Sequence, residues 1–192
     1  MNKKITYSKE YIIENTYSYI KTNGLQGITT RKLAKFCHCS TAPFYQYFSS
    51  IDEVVLEALK IGVEDILNYT NKKYSDRLFL NIGMGVILFA RDNSNIYKEI
   101  MLNSEFYKKY AEDRLNTLRY KAQEDPRFVN MENVDLQEII DKMWIYVFGL
   151  ATLVSLKLTE EVTEFFVMNK LLSAGSIIVG DAIEKADAKI GK

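Results

Sequence analysis

One histidine, two cysteines and two prolines are all that the 192 residues hold of three chemically decisive types, and each scarcity removes a class of function. With His38 as the single imidazole, no histidine-based catalytic triad or HExxH zinc site can be assembled. A ferritin-like Glu-x-x-His site fails too, because Lys35 precedes His38 by three. No glycine-rich phosphate loop is present, so the expectation is that the chain is not an enzyme and needs no cofactor. Cys37 and Cys39 are too few and too close for a disulfide framework, which points to a reducing, cytoplasmic setting. Adjacent residues rarely converge on one tetrahedral ion, so Cys37-His38-Cys39 reads as packing and turn with no metal.

Long apolar runs are missing as well. The first twenty residues contain no apolar segment of signal-peptide type. The longest uncharged stretch, Met143 to Leu156, is fourteen residues bracketed by Lys142 and Lys157, too short for an ordinary membrane span. It reads as a buried helix. Charge of one sign is also lacking, with 25 basic and 25 acidic residues. Its distribution is uneven. Residues 1–50 carry seven Lys/Arg against two acids, a formal +5, which leaves 18 bases and 23 acids, −5, for the rest. A basic head on an acidic body suits a head that faces phosphates.

What is there is helical spacing. Ser8 can cap a first helix with Ile12, Ile13, Tyr17 and Ile20 on its apolar face, and Asn23-Gly24 can stop it. Thr29 or Thr30 can cap a second, with Leu33, Ala34 and Cys37 inward. Ser40 can cap a short third with Pro43 in its first turn. Ser50-Ile51-Asp52-Glu53 matches a capping box opening a long fourth helix to about Tyr74. Further helices are expected at about 76–91, 95–102, 104–124, 134–157 and 160–185, the last capped at Thr159 with Glu160 and Glu161 at its dipole-favoured start. The fold class expected is therefore all-α. Residues 1–49 form a three-helix, helix-turn-helix DNA-binding head, and residues 50–192 a helical effector-binding and dimerisation domain.

In a helix-turn-helix the first helix packs on the second across a short turn, and the second presents its N-terminal residues to base edges. Leu33-Ala34, Cys37-His38-Cys39 and Ser40 to Phe48 supply these parts. The candidate DNA-binding residues are Thr29, Thr30, Arg31, Ser40, Thr41, Ala42, Pro43, Tyr45, Gln46 and Tyr47, whose hydroxyl, amide and guanidinium groups suit phosphates and base edges. Tyr45 and Tyr47 could bond phosphates or could pad the head's core beside Phe44, with Phe48 assigned to the core. Lys32 and Lys35 could be phosphate contacts or plain solvated charges.

The pattern Thr30-Arg31-x-Leu33-Ala34, then Ser40, then Tyr45-x-Tyr47-Phe48, then Ser50 and an acidic helix start, resembles the TetR family of transcriptional regulators over about residues 10–55. The resemblance implies a homodimer, usually a repressor, that binds a palindromic double-stranded operator. In that family the last two long helices, by position 134–157 and 160–185, form the dimer interface, and a small effector shifts the fourth helix and releases DNA. Two positions depart from the pattern. His38 stands where glycine is usual in the turn, and histidine tolerates the left-handed conformation better than most residues. Ile51 stands where the family favours a phosphate-binding lysine, which implies weaker non-specific DNA affinity and a shallower salt dependence.

The body is rich in aromatics and methionine. Most such residues at helical spacing are core, yet an effector site must be concave and largely apolar. Met84, Phe89, Phe106, Tyr110, Trp144 and Phe148 are the candidate ligand-binding residues, for an apolar or aromatic effector. Gly62, inside the fourth helix, is a hinge or a close-packing point, the latter favoured. Gly149, Ser155, Ala174, Gly175, Ser176 and Gly180 could permit close helix approach between subunits. The alternative function is a helical ligand-binding or protein-interaction module that has lost DNA binding.

Overall fold

The computed structural model describes residues 7–129, 131–159 and 161–180, and every regular element among them is helical. Helix α1 spans Lys9–Asn23, α2 Thr30–Phe36, α3 Ala42–Tyr47 and α4 Ile51–Thr70. Then come α5 (Leu78–Asp92), α6 (Ser94–Tyr97), α7 (Ser104–Phe106), α8 (Glu112–Gln123), α9 (Asn133–Ser155) and α10 (Glu164–Ile178). The stretches read from sequence as helices 95–102 and 104–124 are interrupted. Each contains a widened π-turn, at Lys98–Leu102 and Tyr107–Ala111.

The caps explain most boundaries. The Ser8 side chain accepts from the Tyr11 N–H, Thr29 from Lys32 and Ser50 from Glu53. Gly24 ends α1 at φ 72°, a left-handed conformation that glycine adopts without steric penalty. Three expectations are corrected. Helix α3 begins after Thr41, not Ser40, and that residue makes no side-chain cap bond. Glu53 reaches back past Ser50 to Ser49, accepting from its N–H at 2.7 Å and its hydroxyl at 2.8 Å. Helix α4 stops at Thr70, where the threonine hydroxyl turns back onto the Leu67 carbonyl at 2.8 Å.

Helix α9 closes at Ser155 because Lys157 takes φ 57°, with the Lys157 and Leu158 N–H groups bonded to the Val154 and Leu153 carbonyls. The chain then needs several residues to reverse, so α10 is capped by Thr163, not Thr159, and Glu164 supplies the acid in its first turn. Glu160 and the expected extension through 181–185 lie outside the described residues.

Two hydrophobic clusters organise these helices. The smaller joins Ile12, Leu33, Ala34, Cys37, Phe44, Phe48 and Val54, so the first turn of α4 completes the core of α1–α3. The larger fills the space among α4, α5, α8, α9 and α10, with α5 buried along most of its length. Ile20 at the end of α1 belongs to this second cluster, which anchors the head to the body.

Glycine sets the closest approaches. A Cβ on Gly85 would lie 2.5 Å from the backbone N and Cα of Thr70, so α5 can meet the end of α4 only with hydrogen there. At Gly62 a Cβ would stand 2.5 Å from Ile96 Cγ2 and 2.8 Å from Ile100 Cδ1. This glycine is a packing point. No described helix is long and apolar enough to cross a membrane.

Candidate nucleic-acid interface and effector cavity

The turn between α2 and α3 is held by backbone geometry first. His38 takes φ 53°, its N–H bonds the Lys35 carbonyl at 3.2 Å, and the Cys39 N–H bonds the Ala34 carbonyl at 2.9 Å. Such a paired closure normally places glycine at the left-handed residue. Two tyrosines from outside α2 brace it. The Tyr7 hydroxyl donates to the His38 carbonyl at 2.9 Å, and the Tyr11 hydroxyl donates to the Cys37 carbonyl at 3.2 Å. Cys37 is fully buried, and burial pushes its thiol up to about 11, so it is an inert packing group.

Helix α3 divides its side chains cleanly. Phe44 and Phe48, four apart, enter the head's core. Ala42, Tyr45 and Gln46 share the exposed stripe. Tyr45 is 68% exposed, whereas Tyr47 is half-buried with its ring edge-on to Phe48. Of the remaining candidates, Thr29, Arg31 and Ser40 are exposed, and Thr30, Thr41 and Pro43 partly so. Thr29 is already engaged as the α2 cap. Lys32 donates to the Gly27 carbonyl at 2.6 Å, while Arg31 and Lys35 make no ion pair among the described residues. These two are the uncommitted cations of α2. Ile51 is half-buried against the head's cluster, which gives it a packing role at the position where the TetR pattern has lysine.

A second concave feature lies in the body. A cavity of about 240 Å³ opens between the start of α5 and helices α8, α9 and α10. Its walls are mainly apolar, built by Phe79, Ile82, Leu118, Met143, Val147 and Leu171, with Trp144 on one side. Of the six residues expected to meet a ligand, only Trp144 lines it. Met84 and Phe89 are wholly buried in the core. Phe106 and Tyr110 pack on each other, ring centroids 5.4 Å apart, and Phe148 packs on the core one turn beyond Trp144. The cavity also carries Arg77, Arg119 and Arg127, which sequence reasoning passed over. A signal existed: Leu115, Leu118, Arg119 and Ala122 fall at i, i+3, i+4 and i+7, so Arg119 interrupts an otherwise apolar stripe.

The outer faces of α9 and α10 expose a third feature, large apolar side chains. Ile145 and Leu153 on α9, Leu156 just past its end, and Phe165, Leu172 and Ile177 on α10 are all exposed. Gly149, between Ile145 and Leu153, has no atom beyond its own stretch of helix within 4 Å of where a Cβ would stand. Ser155 and Ala174, by contrast, are buried within the subunit. Among the described residues no group of three or more His, Cys, Asp or Glu side chains is placed to hold a metal ion.

No family profile matches the sequence, and no curated protein matches it. A solved structure does. A protein from Rhodococcus sp. described as a TetR-family transcriptional regulator superposes with a TM-score of 0.62 at 16% identity, over 88% of this chain and 97% of that one. The chain therefore shares the two-part, all-helical fold of that protein, and the likeness runs well beyond the N-terminal segment that carries the sequence resemblance.

Proposed function

We propose that this protein is a TetR-like, ligand-responsive transcriptional repressor. It binds a palindromic operator as a homodimer and leaves it when a small effector enters the body. The observation that carries this reading is the α2–turn–α3 unit, a short helix whose buried stripe is locked on a small basic head while Ala42, Tyr45 and Gln46 face outward. Residues 1–49 act as the reading head and residues 50–192 as the effector-binding and dimerisation body.

On DNA, Gln46 reads a base edge, its amide suited to adenine N6 and N7. Tyr45, Arg31, Ser40 and Thr41 meet the phosphates that fix register, with Thr29, Thr30, Ala42, Pro43 and Tyr47 completing the contact surface. Two α3 helices related by a dyad enter successive major grooves roughly 34–36 Å apart, or a small multiple of that distance. The apolar outer faces of α9 and α10 support pairing of two copies there as a four-helix interface, since exposed patches of this kind mark interaction sites. The cavity beside Trp144 is the effector site.

The test is selection of bound sequences from random duplex DNA at moderate salt. One recovered palindrome, bound by a dimer, is the expected result. Recovery of no sequence by a folded dimer stripped of small molecules would overturn the reading and leave a helical module without DNA-binding activity.

A further inference from the structure

We infer that the body cavity takes an amphipathic monoanion, a compact hydrocarbon or aryl body ending in a carboxylate. This inference rests on the reading of the cavity as the effector site. An apolar lining alone would suit a neutral ligand. The charges around the cavity argue otherwise.

Three arginines reach it from three separate elements: Arg77 just before α5, Arg119 on α8 and Arg127 in the turn after α8. Among the described residues, no carboxylate lines it. Two acids stand behind the arginines. Asp125 accepts from Nε and Nη2 of Arg127, at 2.8 and 2.9 Å, and also from the Phe79 N–H at 3.0 Å. Asp141 pairs with Nη2 of Arg119. Among the described residues, three cations against two carboxylates leave one positive charge unanswered.

The uncommitted donors can be named. Arg77 makes no ion pair among the described residues. Nε of Arg119 is buried with no acceptor. A buried cationic donor left unpaired is destabilising, and a ligand oxygen that accepts from it removes that penalty. Phe79 and Leu80, in the first turn of α5, also line the cavity, with the Phe79 N–H already taken by Asp125. A carboxylate at the arginine end, with its apolar body against Leu118, Met143 and Trp144, satisfies both halves of the site. A cavity of about 240 Å³ lies just under the ~300–1,000 Å³ of drug-sized pockets, which favours a compact body.

Trp144 is the single tryptophan, so intrinsic fluorescence reports from the cavity wall itself. Octanoate and 4-phenylbutyrate are titrated at neutral pH against octan-1-ol and 4-phenylbutan-1-ol, all below micellar concentrations. Each acid is expected to bind at least about tenfold tighter than its alcohol, equivalent to ~1.4 kcal/mol. Arg77→Gln and Arg119→Gln, the latter keeping an amide donor for Asp141, are expected to shrink that ratio severalfold. Thermal melts confirm that both variants fold. Alcohols that bind as tightly as the acids, or a ratio that survives both substitutions, would overturn the inference. If none of the four probes changes Trp144 emission, the cavity is not a ligand site, and the effector reading falls with it. Acids that bind but leave the selected operator occupied would uphold the anion site and overturn the regulatory reading alone.

Discussion

Arg114 on α8 grips Glu64 on α4 through two parallel bonds, Nε to Oε1 and Nη2 to Oε2, each 2.8 Å. Seven residues further along both helices, Lys121 donates to Asn71 at the end of α4. Helix α8 is thus fastened to α4 at two rungs two turns apart, while its Leu118, Arg119 and Ala122 form part of the cavity wall. Any ligand that displaces α8 pulls on the helix whose first turn completes the head's core. The guanidinium bond holds the Glu64 carboxyl below the usual carboxylate range. Both side chains are about half exposed, so the pair contributes little to stability. Arg114→Ala is therefore expected to leave the melting temperature nearly unchanged while cutting effector-driven loss of operator affinity severalfold. Operator titrations with and without ligand check this, and an undiminished response would remove the pair from the transmission route.

The two tyrosines of α3 separate contact from packing. Tyr45 touches little within the subunit, and Tyr47 leans on Phe48. Tyr45→Ala is expected to weaken operator binding about fivefold or more, the worth of one hydrogen bond of ~1 kcal/mol. Its stability should change by no more than ~0.5 kcal/mol. Tyr47→Ala is expected to lower both stability and operator affinity, with dimerisation intact. Thermal melts beside mobility-shift titrations distinguish the two, and unchanged operator affinity in Tyr45→Ala would strike it from the contact set.

Gly149 offers a test of assembly that spares the fold. Among the described residues nothing beyond its own stretch of helix lies within 4 Å of its Cβ position, and Ile145 and Leu153 flank it on the exposed face of α9. Gly149→Arg should leave the isolated subunit folded, because replacing glycine inside a helix removes a propensity penalty of up to ~1 kcal/mol. Placed between two closely packed helices, the same arginine would be buried and unpaired. Sedimentation is expected to show a monomer. A dimer that persists would locate the subunit contact elsewhere.

The head was largely legible because its signals are local. Ser8, Gly24, Thr29 and Ser50 end or begin helices through bonds to residues three or four away. Leu33, Ala34 and Cys37 announce a core by helical spacing alone, and each is buried, as is Phe48, assigned to the same core. The body was less legible because its determinants are distant in sequence. The close approach at Gly85 depends on Thr70; the break at Lys98–Leu102 is marked only by Asn103, which caps the Phe106 N–H, and that at Tyr107–Ala111 has no cap residue or proline to mark it. Aromatic abundance pointed to a cavity, but of the six named candidates only Trp144 faces it; Met84 and Phe89 look identical in a linear pattern and fill the core. Arg119 and Arg127 lie 42 and 50 residues from Arg77, and no local rule gathers all three.

Asp125 ties the turn after α8 to the start of α5, and its carboxylate is 2% exposed. Burial opposes its ionisation, but bonds from the Arg127 guanidinium and the Phe79 and Arg127 N–H groups prevail and hold its pKa below the ordinary carboxylate value. Because the folded pKa is depressed, the stabilisation is fully present above the unfolded value of about 3.9 and is lost as pH falls through the folded one. Asp125→Asn keeps the shape and one acceptor but loses the charge. Arg127 is partly exposed, which discounts the pair, so a destabilisation of about 1–3 kcal/mol is expected at neutral pH. For a chain of this length that lowers the melting temperature by roughly 2–4 °C per kcal/mol. The gap between the native protein and the variant should stay constant from about pH 5 to 8 and narrow below about pH 4. Thermal melts across that range supply the check, and a gap that persists unchanged into acid would show that the carboxylate's charge contributes nothing to the fold.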